Sequence, residues 1–337
     1  MPINPRPGVM VMNPKAILGL LKETFKEWQE DKASRLAAAL SYYMIFSLAP
    51  VLIIAIAIVG SIFGEEAAKG EIVGQIEGLV GEQGAQFIQT AITNAHRPDG
   101  SGGLASLISI VVLLFGASGV FGELQDALNT IWDVKLKPGR GIWGILKKRI
   151  LSFLTVLGVG LFLLLSAVLS TALSALRSYE SEFLKELGLL WLYQLDFVWT
   201  ILDLLVSFGI LSLMFALVYK YLPDVKIAWK DVWVGAIITT LLFNLGKWLL
   251  SWYLGRSSFS SSYGAAGSLV VLLAWVYYSS QIIFLGAEFT QVYARRCGSK
   301  IVPDDHATPL PAVGQFPSVE KRDNPTSQDQ SPPRRNQ

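Results

Sequence analysis

Three charged side chains stand inside long apolar runs of the chain: Asp203, Lys247 and Glu288. A charge at the centre of a bilayer costs about 2.5–3.5 kcal/mol on insertion scales, so such residues face protein or water and mark ion or substrate paths. Asp203 lies six residues inside the outer end of its run and Lys247 seven inside the outer end of the next. The short connection at 220–230 favours adjacent runs, in which the two could pair. Snorkelling of Lys247 toward the headgroups is the competing reading. Glu288 lies in the inner part of the last run, and Glu123 and Asp126 form an acidic cluster just past the second, on the same side. With Gln281, Asn244 and Gln125 these residues could line a polar cavity. Hydrogen bonding between helices is the alternative. Backbone breaks fall nearby. Pro50 interrupts the first run, and Gly116 and Gly119 follow a second apolar core of only 13 residues. A short, Gly-interrupted span points to a discontinuous helix at a transport site; simple tolerance of Pro and Gly in membrane helices is the bland account.

Other chemistries find little to build on. The two histidines, His96 and His306, belong to no ligand-spaced cluster such as HExxH. No GxGxxG, GxxxxGK[ST] or GxSxG motif occurs, and no nucleophile–base set is visible. We therefore expect no catalytic residues, no metal, no cofactor and no enzyme activity. Cys297, the one cysteine, rules out an intramolecular disulfide. Its neighbours Arg295 and Arg296 could lower its pKa, and acylation beside a membrane is a further option, but a passive thiol is the simplest reading.

The elements that must position these residues are membrane helices. Apolar residues make up 52% of the 337 and charged ones 16%, against about 25% charged in a typical soluble domain. Mean hydropathy is +0.45. A span needs roughly 20 apolar residues. Six runs qualify, at about 38–62, 104–122, 150–173, 197–219, 231–254 and 268–292. The expected fold is all-α, a polytopic membrane protein with a six-span domain over 36–298 and amphipathic interfacial helices. Period-2 alternation is absent, which argues against an outer-membrane barrel. The first run begins near Leu36 and is too long for a signal peptide's apolar core, so it reads as a retained anchor.

Orientation follows from Lys and Arg. The segments 1–35, 134–149, 220–231 and 295–300 hold 18 of them; 63–103, 174–196 and 255–267 hold 5. Both termini are thus expected in the cytoplasm. A net charge of +2 is too balanced to imply nucleic acid as a partner. Residues 1–14 and 303–337 hold 11 of the 15 prolines and read as a disordered N-terminus and a disordered cytoplasmic tail. Over 15–35, Ile17, Leu18, Leu21, Phe25 and Trp28 recur at helical spacing. That helix either lies in the membrane interface or packs on the protein's own cytoplasmic surface. In the outer loop 63–103, Ile72, Ile76, Leu79, Val80, Phe87, Ile88 and Ile92 suggest helices on the outer surface or capping a cavity.

Several motifs resemble the YihY/BrkB family. They are Leu40-Ser41-Tyr42-Tyr43 with Phe46-Ser47-Leu48-Ala49-Pro50, then Tyr221-Leu222-Pro223-Asp224 leading to Trp229-Lys230-Asp231. Further along come Tyr263-Gly264-Ala265-Ala266-Gly267-Ser268, Trp275-Val276-Tyr277-Tyr278 and Gly286-Ala287-Glu288-Phe289. The resemblance covers about residues 20–298 and implies a bacterial inner (plasma) membrane protein with about six spans. Members are variously called virulence factors, transporters or, by an older name, ribonuclease BN. The present residues give the nuclease name no support. The expected function is transport of a lipid or other amphiphile across or out of the membrane. The alternative is a scaffold recruiting cell-envelope protein partners. Membrane lipids are the expected surroundings in either case, and the oligomeric state is left open.

Overall fold

The computed structural model describes residues 14–66, 69–70, 72–74, 77, 85, 88–90, 119–137, 196–256, 267–299, 301–304 and 307–309. Helix α1 is Pro14–Glu30 and α2 is Ala33–Phe63. Helical residues 119–131 form α3, followed by strand β1, Val134–Leu136. Then come α4, Asp196–Tyr221, β2, Val225–Lys226, and α5, Trp229–Arg256. Helix α6 is Gly267–Arg296, and strands β3, Val302–Pro303, and β4, Ala307–Pro309, close the described chain.

Among the described residues, three stretches are long and apolar enough to cross a membrane: Thr200–Tyr221, Trp229–Leu250 and Leu269–Arg296. Helix α2 supplies a fourth if its two arms, bent by 52° between Leu48 and Pro50, form one span. The bend has a local cause, since Pro50 lacks the N–H that would bond back one turn and its ring crowds the carbonyl there. The expected run 150–173 lies outside the described residues, as does 104–122 apart from 119–122 at the start of α3. Leu204, Leu205, Leu241, Leu245, Trp248 and Leu249 are exposed on α4 and α5. Large apolar side chains on the outside of a bundle suit a surface that meets lipid.

Helix α6 packs against α1, α2 and α5, and α5 packs in turn on α4. Small residues allow these close contacts. A side chain at Gly235 would overlap Thr290, and one at Gly286 would overlap Thr239 and Tyr219. Helices in lipid gain little from the hydrophobic effect between themselves, so close approach and hydrogen bonds hold them together. The Tyr219 hydroxyl donates to Ile283 O at 2.7 Å and lies 3.0 Å from Thr239 Oγ1. Ser212 Oγ donates to Thr240 Oγ1 at 3.0 Å. One buried cluster, including Ala33, Ala37, Leu128, Trp132, Phe215 and Phe284, ties α2, α3, α4 and α6 together. At the far end, Ile72 and Ile88 pack on Leu48, Leu52, Leu272 and Val276, so described parts of the segment 63–103 fold back over α2 and α6.

The other end is bound by short ladders that an all-α reading does not contain. Strand β1 pairs with β4 and β2 with β3, both antiparallel. Asp231 accepts from Ser299 N at 2.9 Å and from Ser299 Oγ at 2.6 Å. Asn129 and Asp224 bond reciprocally: Nδ2 donates to Asp224 Oδ2 and Asp224 N donates to Asn129 Oδ1, each at 2.8 Å. The expected disordered tail from 303 therefore needs correcting at its root. Pro303 and Ala307–Pro309 pair with backbone from the connections after α3 and α4, which offer unpaired strand edges. The rest of the tail, 310–337, and residues 1–13 lie outside the described residues. The expected amphipathic segment 15–35 also divides. Helix α1 stops at Glu30 and α2 starts at Ala33, with Lys32 in the left-handed region at φ 54 making the corner.

Candidate functional site

Glu288 is fully buried, and neither carboxylate oxygen has a hydrogen-bond partner among the described residues. A buried, unpartnered carboxylate is costly enough that it needs a reason. Its surroundings come from several elements. Glu27 from α1, Asp31 from the corner between α1 and α2, and Arg295 from two turns further along α6 all act on it. Asp133, which follows α3 in the left-handed region at φ 53, acts on Asp31 in turn.

The pairing within this group is uneven. Arg295 contacts Glu27 at 3.2 Å and Asp133 at 3.9 Å and donates to Gln291 Oε1 at 2.6 Å. Gln291 Nε2 donates to Asp133 at 2.9 Å. Arg296 pairs with Glu23, which fastens α1 a second time. The one guanidinium is thus engaged by Glu27 and Asp133, leaving Asp31 and Glu288 mainly to each other. Burial pushes the Asp31 carboxyl up to about 7, and the negative charges of Asp133 and Glu27 add to the effect while Arg295 opposes it. The indole nitrogens of Trp28 and Trp132 are also buried here without an acceptor. A cavity of about 400 Å³ lies alongside, lined in part by Trp132, Asp133, Gln291 and Arg295.

The other residues singled out from the sequence fall in different places. Asp203 is exposed on α4 and Lys247 half-buried on α5, and the ion pairs found among the described residues do not join them. Asn244 donates to Thr240 O on its own helix at 2.9 Å. Gln281 stands two turns before Glu288 on the same stripe of α6, with a buried Oε1 that lacks a partner. Glu123 is half-buried and Asp126 exposed on α3. Gln125 is engaged by the connection after α4, donating to Leu222 O at 3.1 Å. Pro50 forms the bend of α2, Gly119 opens the described part of α3 beside Tyr43 and Ser47, and Gly116 lies outside the described residues.

The sequence does not mark Asp31, Glu27, Asp133 and Gln291 as site residues, and it marks Arg295 only as a neighbour of Cys297. A signal existed for two of them. Gln291 and Arg295 follow Glu288 at i+3 and i+7, on one face of a helix. The acids of the other elements look like ordinary polar residues until the fold brings them together. Among the described residues, no three His, Cys, Asp or Glu side chains are arranged to hold a metal ion.

A family model described as Virulence factor BrkB matches residues 24–311. A UPF0761 membrane protein of Mannheimia succiniciproducens is 27% identical over 270 residues, covering 79% of this chain and 86% of that protein. One from Verminephrobacter eiseniae is 30% identical over 277 residues, 80% of this chain and 60% of that protein. The putative ribonuclease-like protein YfkH of Bacillus subtilis is 25% identical over 299 residues, 86% and 99% of the two chains. No solved structure matches.

Proposed function

The chain belongs to the Virulence factor BrkB family of membrane proteins, and from that premise we propose that it moves a lipid or another amphiphile across or out of the bacterial inner membrane. The observation that carries this reading is Glu288: a fully buried carboxylate without a hydrogen-bond partner, inside an apolar helix that packs on α1, α2 and α5. An ionisable group in that position is the usual mark of a transport path. The bend of α2 at Pro50 supports the same reading, because irregular membrane helices gather at transport sites. The distribution of the basic segments favours a cytoplasmic position for the α1 end and both termini. We do not extend the ribonuclease-like name of the Bacillus relative to this chain. Along this chain the basic residues follow the expected threading and form no single cluster in sequence.

The test is movement of fluorescent phospholipid and lysophospholipid between leaflets of proteoliposomes holding the full chain. The reading expects movement well above that of protein-free vesicles of the same lipid. Equal rates for every lipid offered would overturn it.

A further inference from the structure

An ionised carboxylate can only accept hydrogen bonds. Two ionised carboxylates side by side repel, and burial raises the cost. Asp31 and Glu288 act on each other across the junction of α1, α2 and α6. Among the described residues, neither oxygen of Glu288 finds a donor. A proton on either carboxyl would supply the missing donor and remove one of the two like charges.

We propose that Asp31 and Glu288 form a proton-binding pair, which holds one proton between the two carboxyls and exchanges it with water on the α1 side of the membrane. The functional consequence rests on the transport reading above and names the ligand of that same site. The groups around the pair come from several elements. Helix α1 contributes Glu27, the residues after α3 contribute Asp133, and α6 contributes Arg295. Helix α5 presents Gly235 and Thr239 to this stretch of α6, and the Tyr219 hydroxyl of α4 is engaged with Thr239 and Ile283 O. The single guanidinium is drawn to Glu27 and Asp133. A metal ion is the weaker candidate, because the described acids lack the arrangement to ligate one.

Three further observations support a proton. Asp31 titrates near neutrality, at about 7. Glu288 is an unpartnered side chain with no exposed surface. Asp31 is itself only half-buried, which leaves the pair open to water, and Asp133 and Arg295, which act on it, line a cavity of about 400 Å³. On release, the O–H bond of the shared acid breaks, the proton passes to water, and the pair goes from one negative charge to two. The added repulsion falls between the α1–α2 corner and α6, so proton loss loosens that junction.

The experiment is infrared difference spectroscopy of the full chain in lipid nanodiscs, titrated with pH. The C=O stretch of a protonated carboxylic acid should be present in the wild type at neutral pH and disappear in alkali. Asp31→Asn and Glu288→Gln should each remove that titrating band, and Glu30→Gln, which alters a surface ion pair, should leave it. A wild type without the band overturns the proposal and needs no variant to fold. A band that survives both substitutions overturns it equally. Lipid movement takes no part in this readout. A titrating band without lipid movement keeps the pair and removes the transport reading; lipid movement without the band does the reverse.

Discussion

At the scale of single residues, the fate of Glu288 contrasts with that of Asp203 and Lys247. All three were legible as charges in apolar runs. Glu288 is buried against groups from other elements, whereas Asp203 is exposed and Lys247 half-buried on separate helices. Matching depth fixes position along a helix axis but not rotation about it, so equal depth alone does not make a pair. The partners of Glu288 were illegible for a different reason. Asp31 sits in a polar corner and Asp133 at the end of α3, 102 positions apart in the chain, and only the tertiary fold unites them. Asp31 also carries a pH dependence. Its folded value of about 7 exceeds the ordinary 3.8, so the folded state binds the proton more tightly. Its contribution to stability is therefore greatest below about 4 and is lost as pH rises toward about 7. Amide hydrogen exchange at the corner between α1 and α2, corrected for intrinsic rates, should quicken between pH 5 and pH 8. In Asp31→Asn that acceleration should be absent; an unchanged profile would refute the assignment.

At the scale of elements, the helices run longer than the apolar runs that announced them. The run 197–219 became Asp196–Tyr221, and 268–292 became Gly267–Arg296. Polar ends such as Arg295 and Arg296 extend a helix beyond its apolar core and serve to dock α1. The two sequence readings of α1 each describe one face. Leu20 and Thr24 are buried, with Leu20 packed on Phe289 and Val292 of α6, while Leu18, Leu21 and Phe25 stay more than half exposed. Composition could not choose between the readings because apolar residues occupy both the buried and the exposed face. Glycines were legible only as breaks, yet Gly235 and Gly286 are points of closest helix contact. Gly235→Val should therefore destabilise the bundle by about 1–3 kcal/mol, the usual cost of overpacking. Gly209, with open space around it, should accept Ala with no loss, since Ala favours helix. Unfolding in mixed detergent micelles would compare the two. Equal stability of the two variants would contradict the packing described.

At the scale of the whole molecule, the chain is tied together at the α1 end. The residues after α6 return to pair with the connections after α3 and α4, so distant parts of the sequence share one polar platform. Strands of two or three residues have no periodicity to read, which is why the root of the tail passed as disordered. Asn129 links this platform to α3 through both bonds to Asp224. Asn129→Ala would leave the buried Asp224 carboxylate short of a donor, at a cost of about 1–3 kcal/mol. Limited proteolysis within 301–309 should then become faster than in the wild type. Unchanged cleavage would mean that the platform does not depend on that pair.

We propose Glu288 as the working centre of lipid movement by this membrane protein. It is tested most directly by lipid movement in proteoliposomes of wild type, Glu288→Gln and Glu30→Gln, reconstituted at equal density. A loss of at least tenfold is expected for Glu288→Gln, with wild-type rates for Glu30→Gln. Wild-type rates in Glu288→Gln would contradict it.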